Sequence, residues 1–174
     1  MVRCVSFGIV GLLIMWSSSG VSAQDAAPEN SANARYWEIL ASPYTLHWSR
    51  SSEHKNVYLL SIERYRPAAS SWVKADETFW GLSVFRNSFG QPSAFAYLGY
   101  RRNHLFGHQE ISFKLSGGIL YGYKEPYENK VPLNYHGLSH GIIPSVDYRL
   151  TSNDSIQIGV LGTAGLISMY GRRL

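Results

Sequence analysis

From residue 43 onward, the chain consists of short segments in which apolar and polar residues alternate, joined by turns rich in glycine, proline, asparagine or serine. Alternation with a period of two is typical of β-strands that bury one face. No stretch between these segments has the length and the 3.6-residue period of an amphipathic helix. The pattern predicts an all-β chain of eight antiparallel strands, at residues 44–50, 56–66, 79–86, 93–101, 110–122, 138–150, 155–161 and 166–172.

The composition indicates what these strands face. The chain has 16 glycines, 12 tyrosines and 5 tryptophans, but only 16% of its residues are charged. Few charges within strands and aromatic side chains at strand ends suit a sheet that faces lipid. After residue 23 no segment approaches the roughly 18 consecutive apolar residues of a spanning helix, which excludes a helical membrane protein. We therefore expect an eight-stranded outer-membrane β-barrel, with a soluble sandwich or calycin-like barrel of the periplasm as the alternative.

Residues 1–23 have the features of a secretory signal peptide. Arg3 precedes an apolar core that is too short to span a membrane, and small residues stand at the predicted cleavage site. The only cysteine, Cys4, lies in this segment, so no disulfide is expected in the exported chain. Without Arg3 the formal charge falls from +4 to about +3, which is too small a bias to indicate a nucleic-acid partner.

The exported chain is expected to form one domain. Residues 24–42 are predicted to be a polar tail followed by a short amphipathic helical turn at residues 34–41, and residues 43–174 are predicted to be the barrel. Export and a barrel together predict that the protein lies in the outer membrane of a Gram-negative bacterium, as a monomer.

The topology of such a barrel brings distant polar residues to one rim. If the chain starts on the periplasmic side, His47 at the end of the first strand shares the outer rim with Asn87, Ser88 and the loop at residues 123–137. A histidine can take a proton from an attacking hydroxyl, and polar donors can stabilise an oxyanion. These three residues are therefore a candidate acyl-transfer site. The alternative is an interfacial His47 beside an Asn-Ser pair that only forms a turn.

Prolines interrupt the predicted barrel wall at Pro43, Pro126, Pro132 and Pro144. Because proline cannot donate to a strand ladder, it marks a gap in the hydrogen bonding between strands. In lipid such a gap is costly and is usually avoided. These residues either end strands or mark a side opening through which a lipid chain reaches the barrel interior.

The remaining histidines and arginines indicate no further site. On a strand, His136 and His140 would stand about 13 Å apart, too far to share a metal ion, so neither a metal nor a cofactor is expected. The pairs Arg101-Arg102 and Arg172-Arg173 fall at the periplasmic rim and are expected to neutralise phospholipid headgroups.

The order of these landmarks resembles the lipid A palmitoyltransferases of Gram-negative outer membranes. Residues 81–99 resemble that family's third strand, active-site loop and fourth strand. Within them, residues 85–89 (FRNSF) resemble its aromatic–basic–Asp–Ser–aromatic loop. Val131-Pro132 and Ile143-Pro144 resemble its proline-marked sixth-strand region.

The resemblance implies a barrel with an interior hydrocarbon pocket and transfer of a palmitoyl chain from a phospholipid to lipid A. His47, near the start of the barrel where the family has an essential histidine, would be the base, and Ser88 the essential hydroxyl partner. Gly99 falls where the family has the glycine that floors the pocket and sets chain length. Asn87 replaces the family's acidic residue, and an amide can hydrogen-bond but cannot supply a carboxylate's charge.

Two other functions fit the same predicted barrel. A lipid A deacylase or outer-membrane phospholipase would remove an acyl chain instead of adding one. A non-enzymatic small barrel for adhesion, lipid binding or limited solute passage would leave His47 and Ser88 dispensable.

Overall fold

A computed structural model describes residues 35–49, 55–69 and 74–174. Within these residues the chain is a closed barrel of eight antiparallel strands, in which each strand pairs with its neighbours in sequence and the last pairs with the first. The strands are β1 Tyr36–His47, β2 Leu59–Pro67, β3 Glu77–Arg86, β4 Pro92–Arg102, β5 Ile111–Tyr121, β6 Leu138–Arg149, β7 Asp154–Val160 and β8 Gly165–Arg173. The predicted all-β, eight-stranded fold is confirmed.

The start of the barrel differs from the prediction. Strand β1 begins at Tyr36 instead of near residue 43, so the expected helical turn at residues 34–41 is wrong from Tyr36 onward. Tyr36, Glu38 and Leu40 are buried on alternate positions, and this stretch pairs with both β2 and β8. Two strand ladders satisfy more backbone groups than one helical turn, which is marginal on its own. The predicted signal and tail, up to residue 34, lie outside the described residues.

Helical structure plays little part in the described portion of the chain. It is limited there to two short 3-10 turns, at Leu105–Gly107 and Glu128–Lys130. Within the same residues no helix has the length and apolar character needed to cross a membrane.

The barrel has two rims. The connections after β1, β3, β5 and β7 form one, which we call the loop rim. The other, the terminal rim, holds the start of β1, the end of β8 and the remaining connections.

The interior next to the terminal rim is filled by side chains. Arg101 is almost fully buried there, and its guanidinium lies 2.6 Å from Asp147 and 3.7–3.9 Å from the carboxylates of Glu77 and Glu38. The expectation that Arg101 neutralises headgroups is therefore wrong, because alternation along β4 turns Arg101 inward and only Arg102 outward. Five aromatic side chains packed against one another extend this core from the terminal rim toward the loop rim: Tyr36, Tyr65, Phe79, Phe95 and Tyr97.

The outward face of the barrel is apolar. Every strand exposes at least one large apolar or aromatic side chain there, for example Ile39, Leu60, Leu82, Leu98, Ile119, Ile142, Ile158 and Tyr170. Soluble monomers rarely expose a continuous apolar surface of this extent, and such a surface marks contact with a partner or with lipid.

Candidate functional site

The half of the interior next to the loop rim encloses a cavity of about 440 Å³. Its walls are largely apolar and include Leu40, Val57, Leu59, Phe85, Phe95, Leu120, Ile143, Ile167 and Met169. Glu63, Lys114 and Gln157 also border it, on the side of the filled half of the interior. The Lys114 ammonium donates to Glu63 Oε2 at 2.6 Å and to Gln157 Oε1 at 2.7 Å. The cavity is thus an apolar chamber closed at one end by an ion pair.

His47 borders this cavity because of a bulge in β1. Ala41 pairs with Tyr170 and Tyr44 with Ser168, so β1 has one residue more than β8 between these pairs. A bulge of this kind shifts the alternation of side chains by one position. Residues that would otherwise point outward after the bulge, Thr45 and His47, therefore point into the barrel. Pro43 lies in the bulge, at the point where the alternation that orients the histidine changes.

Ser88 borders the same cavity from the loop after β3, and its side chain is buried. The Lys55 N–H donates to the Ser88 carbonyl oxygen at 2.7 Å, which ties the β1–β2 connection to this loop. Tyr123 is another cavity residue; burial raises the pKa of its phenol, and the nearby Ser88 hydroxyl lowers it by a smaller amount. Two hydroxyl groups and an imidazole therefore face one apolar chamber.

Asn87 is fully buried but does not border the cavity. Its Oδ1 accepts hydrogen bonds from the backbone N–H groups of Phe89 and Gln91, both at 3.0 Å. Its Nδ2 donates to the Gly122 carbonyl oxygen at 3.3 Å and to Gln91 Oε1 at 3.4 Å. These contacts use both ends of the amide to shape the loop that presents Ser88.

Gly99 faces the barrel interior without bordering the cavity. The Phe79 ring lies against it, and a Cβ atom at residue 99 would stand 2.2 Å from Phe79 Cζ. The side chains that border the cavity at its closed end are those of Glu63, Lys114 and Gln157.

The barrel wall is incomplete beside two of the predicted prolines. Strand β6 pairs with β7 only from Ser145 to Arg149, so residues 138–144, ending at Pro144, have no β7 partner. His140 and Ile142 lie on the outward face of β6 and still border the cavity, which therefore opens through the wall at this point. The cause is the shortness of β7, which ends at Val160.

The second break, beside Pro43, is narrower. Pairing of β1 with β2 ends at Ser42, although β1 continues to His47. The Asn56 side chain bridges the break, because its Nδ2 donates to the Pro43 carbonyl oxygen and its Oδ1 accepts from the Thr45 N–H. Pro132 is not part of a strand; it lies in the β5–β6 connection and borders the cavity at the loop rim.

The sequence predicted that His47, Ser88 and the loop at residues 123–137 share one rim, as they do in the structure, but it did not single out Tyr123 or the Glu63–Lys114 pair. The polar face of alternating strands β2 and β5 carries Glu63 and Lys114, and in a lipid-facing barrel that face points inward. This signal was available in the sequence. Tyr123 lies in a loop after β5, where no periodicity indicates orientation.

Comparison of the chain with protein-family models and with curated proteins finds no match. Within the described residues, no three histidine, cysteine, aspartate or glutamate side chains are grouped so that they could hold a metal ion. The fold and the site together define an eight-stranded barrel with an internal apolar chamber, a wall opening and a polar group of His47, Ser88 and Tyr123.

Proposed function

We propose that the protein is an outer-membrane acyltransferase that moves a palmitoyl chain from a phospholipid to lipid A. The observation that carries the proposal is that His47 and Ser88 border the same apolar cavity. The apolar outer face supports a place in a bilayer, since aliphatic side chains exposed on all sides would be unfavourable in water.

The size of the cavity agrees with one long acyl chain. A cavity of about 150 Å³ holds benzene, which has six carbon atoms, so about 25 Å³ is needed for each carbon. At that density the cavity of about 440 Å³ accepts a chain on the order of 16–18 carbons. The wall opening beside Pro144 offers such a chain a path from the bilayer to the interior.

In the proposed reaction, an acceptor hydroxyl oxygen attacks the ester carbonyl carbon of the donor phospholipid. His47 takes the hydroxyl proton as the new C–O bond forms. The Ser88 and Tyr123 hydroxyls donate to the oxygen that becomes negative in the tetrahedral intermediate. The bond to the glycerol oxygen then breaks, and the proton passes from His47 to that oxygen, which leaves a lysophospholipid. Because the pKa of Tyr123 is raised, its phenol stays protonated and remains a donor.

The test is mass spectrometry of lipid A from cells that express the wild-type chain, His47→Ala or Ser88→Ala. The wild type is expected to add the mass of one palmitoyl group, and each variant to lower the acylated fraction by at least 100-fold, a loss of the size expected for a general base or an oxyanion donor. Two control variants, Ser139→Ala and His108→Ala, change the same residue types at positions that do not border the cavity and are expected to keep the acylated fraction.

Other results would select another function. Loss of an acyl chain in the wild type would indicate a deacylase or phospholipase. An unchanged lipid A in cells with a folded wild-type barrel would overturn the proposal and leave a non-enzymatic lipid-binding barrel.

A further inference from the structure

A second depression of about 390 Å³ lies mostly on the outward face of the barrel, on strands β2 to β6. Its outward-facing lining is formed by Arg66, Thr78, Leu98, Tyr100, Leu115, Gly117 and Ile142. We refer to these residues as the outer groove. Most of them are apolar, and Arg66 is the only cation in the set.

Gly117 makes the deepest part of the groove. Leu98 pairs with Gly117 and Gly117 with Ile142, so the three lie in one row across β4, β5 and β6. With no side chain between them, Leu98 and Ile142 are 70% and 71% exposed, more than any other large apolar side chain within the described strands. The row is a notch with an aliphatic wall on each side.

Nothing inside the barrel requires glycine at this position. Among the described glycines, Gly117 alone has neither a positive φ nor a neighbouring atom closer than 3.4 Å to an added Cβ; the nearest, Gly141 O, is 3.9 Å away. By contrast, a Cβ added at Gly99 would stand 2.2 Å from Phe79 Cζ, and one added at Gly118 would stand 2.1 Å from the Ala96 carbonyl oxygen. Glycine within a strand costs stability through its backbone entropy. A notch kept open at that cost indicates that something outside the chain occupies it.

The groove rises from the terminal rim to the middle of the wall. Arg66, Thr78, Tyr100, Leu115 and Pro144 are joined by successive register pairs from β2 to β6. Arg66 is near the end of β2, while Pro144 is near the middle of β6. Four strand spacings make this row about 19 Å long. With strands tilted by about 35–45°, the row rises about 11–13 Å, which is most of one hydrocarbon leaflet of about 15 Å.

The charge at the rim end of the groove suits an anion. Arg66 is exposed, and its Nε donates to Thr78 Oγ1 at 3.2 Å, which holds the side chain over the groove. Within the residues described, no carboxylate is within 4.0 Å of its guanidinium. The terminal guanidinium nitrogens can therefore bind a phosphate.

We propose that the outer groove binds one phospholipid, with its phosphate on Arg66 and an acyl chain in the notch over Gly117. Aliphatic walls match the chain, and the single cation at headgroup depth matches the phosphate. The groove meets the wall opening, since Ile142 and Ser116 border both the groove and the interior cavity. The proposal goes beyond acyl transfer and needs only that the barrel stands in a bilayer.

Native mass spectrometry of the refolded full chain tests the proposal, with phosphatidylglycerol as the probe and diacylglycerol of the same chains as the phosphate-free comparison. We expect one phosphatidylglycerol to be retained, about ten-fold more than diacylglycerol. Gly117→Leu should lower retention at least five-fold, whereas Ala96→Leu, which places the same side chain on the outward face beyond the groove, should not. Arg66→Gln should bring phosphatidylglycerol down to the level of diacylglycerol, whereas Arg172→Gln should not.

Several results would overturn the proposal. Equal retention of phosphatidylglycerol by all variants would mean that only unselective annular lipid binds. If Ala96→Leu lowered retention as much as Gly117→Leu, the notch would not be the site. Dimers that disappear in Gly117→Leu would assign the groove to a second copy of the chain. The readout is lipid retention and not acyl transfer, so failure of the acyl-transfer proposal would leave these expected results unchanged.

Discussion

Replacing Lys114 by methionine is expected to destabilise the barrel by about 3–5 kcal/mol, the usual cost of removing one partner from a buried ion pair. The side chains of Lys114 and Glu63 are 2% and 3% exposed, and 2.6 Å separates their charged atoms. The ammonium also lies 4.9 Å from the centre of the Phe79 ring. Methionine keeps most of the side-chain volume but leaves the Glu63 carboxylate without its cation.

The double variant Lys114→Met/Glu63→Gln separates charge from packing. It removes both charges while an amide oxygen remains to accept from the Tyr97 hydroxyl, which now donates to Glu63 Oε1 at 2.9 Å. Replacing both members of a buried pair is often close to neutral. We therefore expect the double variant to recover at least half of the stability lost in the single one.

Equilibrium unfolding in urea, followed by tryptophan fluorescence of the chain refolded in lipid vesicles, measures both variants. With an m value of about 2 kcal/mol/M, the single variant should lower the midpoint by about 2 M. Lys124→Met, in the exposed β5–β6 connection, is the matched control and should change stability by less than about 0.5 kcal/mol. If Lys114→Met were within about 0.5 kcal/mol of the wild type in stability, the Lys114–Glu63 ion pair would not stabilise the barrel. A double variant less stable than the single one would refute the same reasoning.

Three further variants examine the loop and the core. Asn87→Asp should destabilise the loop by about 1–3 kcal/mol in urea unfolding, because a carboxylate there would face the Gly122 carbonyl oxygen. It should not raise the rate of the proposed acyl transfer; a faster reaction would show that the residue acts on the chemistry. Tyr123→Phe should lower the rate of the proposed acyl transfer about 100-fold to 1000-fold with wild-type stability, as expected for one lost oxyanion donor; an unchanged rate would remove Tyr123 from the proposed site. Gly81→Ala should lower the free energy of unfolding by about 1–3 kcal/mol in the same assay, because its Cβ would stand 2.5 Å from the buried Tyr97 ring. An unchanged urea midpoint would mean that the ring can move aside.

The strands were predictable because alternation is a local signal. Along β5, for example, Ser112, Lys114 and Ser116 are buried on one face while Leu115 is exposed on the other. This pattern in residues 110–122 was sufficient to predict both a strand and its two faces. The start of β1 was missed because Tyr36 to Leu40 mixes aromatic, acidic and aliphatic residues in a way that also fits one helical turn, and only pairing with β2 and β8 decides between the two.

The site was predictable only in part, since its residues are brought together by register. Topology alone placed His47 and Ser88 at one rim, but no local pattern shows that β1 carries an extra residue relative to β8. The orientation of Asn87 depends on hydrogen bonds to Gly122, which is 35 residues away in sequence. Likewise, the opening at Pro144 results from the length of β7, and not from the proline itself.

The bulge at Pro43 makes the candidate site unusually sensitive to chain length. Substitutions at Pro43 or Tyr44 that preserve the residue count keep Thr45 and His47 turned inward, so this segment should tolerate changes of side chain. Deletion of a single residue here would restore the regular alternation with β8 and turn the imidazole to the outside of the barrel. Chains related to this one should therefore vary in residue type at this point. They should conserve the number of β1 residues between Ala41 and Tyr44, the two positions that pair with β8 on either side of the bulge.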